Sequence, residues 1–498
     1  MKIIDDFLNG ITMYRLMLYY LVVILLWALI LCLFGKLPFT SPIAIVGSFA
    51  FITTVCWLVN KFFALIFKVP ANPESFYITA FILCLIITPA LDLSSLTFMF
   101  LAAVLAMASK FILCINRKHL FNPAAFGAFI TGLVLAGSGG VTWWVSTAVM
   151  LPVVLLGGIL IVKKIKKWDL LLSFLVVVLA ISFILSFSKN FQPVAIFKDF
   201  LLNSPLIFFG FVMLTEPSTT PPNRLYRVIY GAIVAVLFGP QIHFGSFTPT
   251  PEMALLTGNI FSFLVSPKEV LLLKLKQKNQ LSPDTYDFVF GLDHKINYLA
   301  GQYMEWTLAS QKPDLRGARR YFTLASSPTE DTLRIGVKFY PNGSTFKKSL
   351  DEMPLAGTIV AAQLAGEFTL PKDPAKKLVF IAGGIGVTPF RSMIKYLLDN
   401  KESRDIVLIY SVKNDVDLVY LDLFNQAEKV FGLKKIINVS ERMGMVTREV
   451  IARDIPDFKS RTFYLSGPHG MVDGFKKTLS ILGVPGGQIK TDYFPGYA

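Results

Sequence analysis

The chain has 498 residues, 54% of them hydrophobic and 16% charged, with 44 Phe, a mean hydropathy of +0.57 and a net charge of +15. An ordinary globular protein is about 25% charged, so the composition excludes a disordered, collagen-like or conventional water-soluble description of the whole chain. Residues 1–267 carry only 16 of the 48 Lys+Arg and 8 of the 33 Asp+Glu, so a lipid-soluble half precedes a water-soluble one.

The four cysteines, Cys32, Cys56, Cys84 and Cys114, all lie in apolar stretches of the first half. None has the C-x2-C spacing of a zinc or iron–sulfur site, so they read as small buried hydrophobes and no metal is expected. The first apolar run, Met13 to Phe34, is too long for a signal-peptide core and lacks a small-residue cleavage site, which makes it a retained transmembrane helix. At roughly 20 apolar residues per crossing, ten spans are predicted: 13–34, 45–66, 77–90, 95–114, 121–137, 143–162, 168–187, 201–215, 226–239 and 251–266. With a cytoplasmic N-terminus, 13 Lys/Arg fall inside and three (Lys36, Lys189, Lys198) outside, which sets the orientation. An even number of spans then leaves the chain from Lys268 onward cytoplasmic, and both termini with it. The basic run from Lys163 to Lys167 reads as a topology signal in contact with lipid headgroups, not as a nucleic-acid site.

Two short spans end in similar punctuation, Ile87-Thr88-Pro89 and Leu214-Thr215-Glu216-Pro217, and a later span of each set begins after a proline, at Asn122-Pro123 and Thr250-Pro251. Pro89 and Pro217 are 128 residues apart, as are Pro123 and Pro251. Five spans separate the copies, which predicts an inverted repeat with interrupted helices around a central site.

The segments Lys118-His119-Leu120-Phe121-Asn122-Pro123-Ala124-Ala125, Val141-Thr142-Trp143-Trp144 and Phe211 to Pro222 resemble the membrane subunits of the Rnf electron-transport complex (its D subunit) and of the sodium-pumping NADH:quinone oxidoreductase (its B subunit). The resemblance implies a ten-helix flavoprotein that passes electrons within the membrane. Those subunits carry FMN on a Thr of a Ser-Gly-Ala-Thr motif, whereas here the connection is Gly137-Ser138-Gly139-Gly140-Val141-Thr142. A covalent FMN is therefore not expected; a non-covalent FMN or riboflavin, held by His119, Asn122 and Thr215, is. Haem ligated by two histidines is not expected either, because only His119 and His243 fall in this half and the topology puts them on opposite faces.

From Glu269 onward short alternating strands without intervening helices predict an antiparallel β-barrel, residues 268–372. Apolar strands then alternate with helical segments, which predicts an α/β nucleotide-binding domain, residues 373–498. Arg320-Tyr321-Phe322-Thr323 matches an R-x-[YF]-[ST] pattern in which an arginine neutralises a pyrophosphate, an aromatic packs on a flavin ring and a hydroxyl bonds its N5 edge. Gly343-Ser344-Thr345 precedes a predicted helix over 346–350, whose amide groups suit the same pyrophosphate; Val337 and Lys338, just upstream, are assigned to that site. Gly383-Gly384-Ile385-Gly386-Val387-Thr388-Pro389 follows a strand and opens a helix, as a dinucleotide requires.

These motifs, with Ser466-Gly467-Pro468-His469-Gly470-Met471 and the ending Asp492-Tyr493-Phe494, resemble ferredoxin-NADP reductase-type proteins. That resemblance implies FAD, with NADH or NADPH, and catalytic roles for Thr323, Thr388, Ser466, Asp492 and Phe494. Gly467, Pro468 and Met471 join the nucleotide site, and Ser411 and Lys413 lie where the ribose or a 2′-phosphate is read. His469 reads as a loop residue and His294 has no evident role. The expected protein is a multi-pass flavin oxidoreductase of the cytoplasmic (inner) membrane that moves electrons from NAD(P)H through FAD toward an extracytosolic flavoprotein or a quinone. A redox-linked ion transporter and a quinone reductase at the inner face are the alternatives.

Overall fold

The computed structural model describes residues 2–67, 73–115, 118–135, 140–188, 193–239, 248–266, 270–308, 314 and 317–492. Arg117, Gly137 to Gly139, His243 and Phe494 lie outside the described residues. The chain forms two compact units, residues 11–269 and residues 1–10 with 270–498.

After α1 (Lys2–Gly10), the apolar unit contains α2 (Met13–Leu33), α3 (Pro42–Ile66), α4 (Pro73–Ile86), α5 (Leu93–Ile112), the short pair β1 (Cys114–Ile115) and β2 (Lys118–His119), and α6 (Pro123–Val134). Then follow α7 (Leu151–Ile165), α8 (Trp168–Ser188), α9 (Pro193–Asn203), α10 (Leu206–Phe208), α11 (Arg224–Phe238) and α12 (Pro251–Val265). Helix α9 is an addition to the ten predicted segments. Among the described residues three helices, α2, α3 and α5, are long and apolar enough to cross a membrane by length and composition. The eighth predicted span is interrupted: α10 passes into a π-helical turn, Phe209–Met213. The sixth starts late, because Trp143 takes a left-handed conformation (φ 51°) and α7 begins only at Leu151.

Side chains at the N-caps explain where the broken helices begin. Asn122, Thr250 and Asp92 each accept an amide hydrogen bond from the first turn of α6, α12 and α5, and Pro123 and Pro251 supply the preset φ of a first helical residue. A similar close contact occurs at α6 and at α12, although the glycines that make it, Gly127 and Gly258, are 131 residues apart and not 128. Helix α6 lies against α5 where a Cβ on Gly127 would sit 2.2 Å from the Ala102 carbonyl and 2.8 Å from Ala106 Cβ. Helix α12 lies against α11 where one on Gly258 would meet Tyr230 at 2.8 Å and Val234 at 2.4 Å. Ala102 and Tyr230, and Ala106 and Val234, are each 128 residues apart. Helices α6 and α12 pack on each other.

The second unit holds β3 (Leu271–Ser282), β4 (Thr285–Gly291), β5 (Tyr303–Thr307), β6 (Arg319–Thr323), β7 (Thr332–Lys338), α13 (Thr345–Asp351) and β8 (Thr358–Ala365). These six strands form one antiparallel sheet in the order β6-β5-β8-β3-β4-β7 around Trp306, Phe288, Phe290 and Phe346. Next come β9 (Leu378–Gly383), α14 (Thr388–Asp399), β10 (Ile406–Val412), α15 (Leu421–Phe431), β11 (Lys434–Val439), α16 (Ser440–Met443), α17 (Arg448–Asp454), β12 (Thr462–Ser466), α18 (His469–Ile481) and β13 (Ile489–Asp492). Their sheet is parallel, order β11-β10-β9-β12-β13, with cores on both faces. The chain turns from β9 toward β10 on one side and later to β12 on the other, so the C-terminal end of β9 is the topological switch point where such sheets bind ligands.

Overpacking a tight helix contact costs about 1–3 kcal/mol. Gly127→Ala is expected to lower the thermal stability of the detergent-solubilised protein by that order. Gly132→Ala, where nothing lies within 4 Å, is expected to leave it unchanged or slightly raised.

Candidate functional site

Alternation along β6 sorts its side chains onto two faces. Arg320 and Phe322 share one: Arg320 is buried, its Nη1 donating to the Gly317 (3.1 Å) and Arg319 (2.6 Å) carbonyls, and its guanidinium lies 5.3 Å from the Phe346 ring at the start of α13. Phe322 packs 6.0 Å from the same ring. Tyr321 faces the other way and donates to Glu305 at 2.8 Å. Ser344 caps α13, accepting from Lys347 N, while Thr345 N–H donates to the Asp314 carboxylate at 3.1 Å. An amide expected to meet a pyrophosphate is thus already engaged by an anion of the chain itself.

At the switch point Gly383 closes β9 and Gly384 has φ +52°, with nothing described within 4 Å of where its Cβ would stand. A Cβ on Gly386 would be 2.5 Å from the Ser466 carbonyl, and one on Gly383 2.4 Å from Met471 Sδ and 3.1 Å from Pro468 Cδ, so the two turns lie backbone to backbone. Glycine is required there by close approach. Thr388 opens α14, its Oγ1 donating to the Ile385 carbonyl at 3.2 Å, with Pro389 in the first turn. Ser466 ends β12 directly opposite Asp492 of β13. Thr323 Oγ1 in turn donates to Asp492 Oδ2 at 3.2 Å. The structure therefore brings Thr323, Asp492, Ser466 and the glycine turn before Thr388 together.

Other predicted residues are placed differently. The Val337 side chain is in the core of the antiparallel sheet, because β7 points it inward. Lys338 is held between Asp284 (3.1 Å) and Asp417 (2.9 Å). Ser411 accepts from Asn438 Nδ2 at 3.2 Å; Lys413 pairs with Glu441 (3.5 Å) and Arg442 with Asp415 (3.1 Å), all four side chains exposed. His469 is the first residue of α18 and faces Asp473 at 3.2 Å, so it is helical, not in a loop.

In the apolar unit Asn122 Nδ2 donates to Glu216 Oε2 at 2.7 Å, and Asn122 N–H donates to Asn259, whose amide reaches Tyr230 Oη at 3.0 Å. His119 Nε2 lies 3.0 Å from Ser218 Oγ and 3.8 Å from Glu216. The Thr215 hydroxyl donates to the Phe211 carbonyl at 2.8 Å, satisfying the turn below it. At the other break Trp143 Nε1 donates to Glu252 at 2.6 Å, and the Thr142 and Trp143 amides share the Ile86 carbonyl.

Sequence reading missed a charged cluster between the two sheets. Arg391 of α14 binds Glu330 through both terminal nitrogens and the Ala325 carbonyl at 2.8 Å; Arg334 joins Glu330 to Asp287, and Tyr420 donates to Asp287 at 3.0 Å. Burial opposes ionisation of Glu330, but the hydrogen bond and charge of Arg391 outweigh it and hold the carboxyl below its ordinary range. Burial raises Asp287 against the pull of Arg334 and Arg391, and pushes the Tyr420 phenol well up. The only signal was position, Arg391 lying one turn beyond Thr388.

Three families match the chain: the NQR2, RnfD, RnfE family over residues 130–268, the oxidoreductase FAD-binding domain over 272–369 and the oxidoreductase NAD-binding domain over 380–477. The NADH oxidoreductase HCR of Escherichia coli (strain K12) is 25% identical over 206 residues, 41% of this chain and 62% of that protein, so the chain spans less than two thirds of that relative's length. The NADH-cytochrome b5 reductase 1 of Mortierella alpina is 27% identical over 235 residues, 44% of this chain and 77% of that protein. The crystal structure of the Amycolatopsis cytochrome P450 reductase GcoB is similar at 24% identity and a TM-score of 0.41, covering 45% of this chain and 70% of that one. Together with the apolar helices, the first of the three family matches marks the chain as a membrane protein.

Because the folded Glu330 carboxyl titrates below the ordinary glutamate value of about 4.3, its contribution to stability is fully present above that value. It is lost as pH falls through the folded value. Glu330→Gln is expected to flatten this acid-side loss, measured as the pH dependence of thermal unfolding between pH 3 and 6.

Proposed function

We propose that this fusion of an NQR2, RnfD, RnfE family region with FAD- and NAD-binding oxidoreductase domains is a flavin oxidoreductase. It takes electrons from cytoplasmic NAD(P)H and delivers them through the membrane to an acceptor at or beyond the outer face. What carries the reading is the convergence, within one compact unit, of the β6 motif through Thr323, the glycine turn before Thr388, and the Ser466–Asp492 pair. FAD, when bound, accepts two electrons together from a reduced nicotinamide and releases them singly. Arg320 and the first turn of α13 would hold its pyrophosphate, which would take the place of the Asp314 carboxylate that now accepts from Thr345 N–H. Phe322 would pack beside the ring, Thr323 would face its N5 edge, and Thr388 with the Gly383–Gly386 turn would seat the nicotinamide half of the coenzyme. Ser466 and Asp492 line the transfer position, with Asp492 fixing the Thr323 hydroxyl.

NADH is the preferred coenzyme in this reading. A 2′-phosphate needs unmatched cations, and here Lys413 and Arg442 are each matched by a carboxylate, Glu441 and Asp415. In the membrane region the ten segments are read as ten crossings of the cytoplasmic membrane. A non-covalent flavin near His119 and Asn122 is the intermediate carrier, supported by the polar cluster these residues form with Glu216, Asn259 and Tyr230. The internal repeat, with the N-terminus of α6 directed at Glu216 through Asn122, favours a second reading: ion movement coupled to the same electron flow.

Arg320→Ala is expected to strip FAD from the purified protein, read by absorbance; full retention counts against the assignment. The wild type should use NADH with a kcat/KM at least about tenfold above that for NADPH, the order a single unmatched charge contact supplies. Inverted vesicles with a membrane-impermeant acceptor sealed in the lumen should reduce it on external NADH. No reduction, with both NADH oxidation and flavin content intact, would overturn the transmembrane route. NADH-driven sodium movement in proteoliposomes would favour the coupled reading.

A further inference from the structure

The flavin motif and the nicotinamide turn lie in different sheets, and transfer between their ligands depends on how the two are spaced. Strand β6 runs straight from Thr323 into Leu324, Ala325 and Ser326. The carbonyls of Ala325 and Ser326 accept from Arg391 Nη1 at 2.8 Å and Ser392 Oγ at 2.6 Å. Arg391 and Ser392 lie three and four residues beyond Thr388, on the same face of α14 one turn along. Glu330 closes the guanidinium from the other side and is itself tied to the β6–β7 connection, accepting from Ser327 N–H at 2.7 Å and lying 3.4 Å from Arg334 Nε. The Ser326 hydroxyl is fixed in turn, meeting Tyr298 Oη at 3.1 Å and Arg334 N–H at 3.1 Å. The Arg391 guanidinium also lies over the Tyr420 ring at 5.8 Å.

We propose that Arg391, with Ser392 and Glu330, is a positioning element that sets the distance and tilt between the Thr323 and Thr388 hydroxyls, and through them between flavin and nicotinamide. The inference rests on the reading of these two segments given under Proposed function. The planar fork of an arginine that grips a carboxylate through two nitrogens and a backbone carbonyl allows one geometry, which the point charge of a lysine does not reproduce. In the reaction one hydride, a proton with two electrons, leaves nicotinamide C4 for flavin N5, and oxidised nicotinamide remains. A misplacement of about 1 Å costs on the order of 100-fold in such a step. The cluster acts through α14, and its loss should therefore appear in the transfer rate ahead of either affinity.

The test uses the full-length, FAD-loaded protein and the variants Arg391→Lys and Ser392→Ala. Rapid mixing with NADH gives the limiting rate of flavin reduction and the apparent NADH dissociation constant; absorbance gives FAD occupancy. Arg391→Lys is expected to lower the limiting rate on the order of 10- to 100-fold, with FAD occupancy and NADH affinity within about twofold of the wild type. Amide hydrogen exchange of the FAD-free full-length protein should speed up in residues 324–330 and 388–399, with β9, β10 and β12 unchanged. A wild-type limiting rate in Arg391→Lys overturns the proposal. So does a parallel fall of rate, affinity and FAD content with faster exchange across both sheets, which marks a purely structural role. If Arg391→Lys fails to retain FAD, Ser392→Ala decides: a rate lowered severalfold supports the proposal and an unchanged one overturns it. A wild-type protein whose FAD neither NADH nor NADPH reduces removes the functional reading itself, before any variant is compared.

Discussion

A guanidinium withdrawn from water is tolerated only when its donors are met by acceptors of the right shape. The Arg391 side chain, 9% exposed, meets a carboxylate on two nitrogens and a backbone carbonyl on one. Removing one partner of such a pair costs about 3–5 kcal/mol, because the other charge is left stranded. The arrangement therefore couples two sheets whose cores are otherwise separate: one around Trp306 and Phe290, the other around Phe380 and Phe390. The Thr323–Asp492 contact of the candidate site is made between segments that this junction helps hold in place.

The same logic operates in the apolar unit with a different solvent. A helix interrupted inside lipid exposes carbonyls that water does not reach, and the chain must meet them itself. At the first interruption the Ile86 carbonyl takes the amides of Thr142 and Trp143, and Trp144 Nε1 donates to the carbonyls of Cys84 and Ile87. At the second, the π turn and the Thr215 hydroxyl absorb the misfit locally, while Ser218 and Thr219 turn back onto Glu216. The two interruptions thus satisfy the same need by different means.

What could be read in the sequence was whatever local chemistry dictates. Asn122-Pro123 and Thr250-Pro251 mark helix starts because cap and preset φ act within a few residues. Gly383 to Thr388 marks a strand, turn and helix for the same reason. Contacts between segments distant in sequence were not legible. Val337 carries no mark that distinguishes a residue facing a core from one facing a ligand, and Thr215 looks identical whether its hydroxyl serves a cofactor or its own turn. Arg391 and Glu330 resemble solvated charges until the fold brings them together. The left-handed Trp143, which delays α7, is likewise invisible to hydropathy, since the residues around it remain apolar.

Gly336, in the middle of β7, belongs to none of the recognisable motifs. A Cβ there would come within 2.8 Å of Thr388 Cγ2, 2.9 Å of Ile385 Cδ1 and 2.9 Å of Tyr420 Oη. A single hydrogen where other strand positions bear carbon is what leaves room for the neighbouring turn. The clearance between two catalytic modules is thus inscribed as an omission, in a residue that would escape any search for reactive groups and whose enlargement would displace three side chains of the neighbouring module.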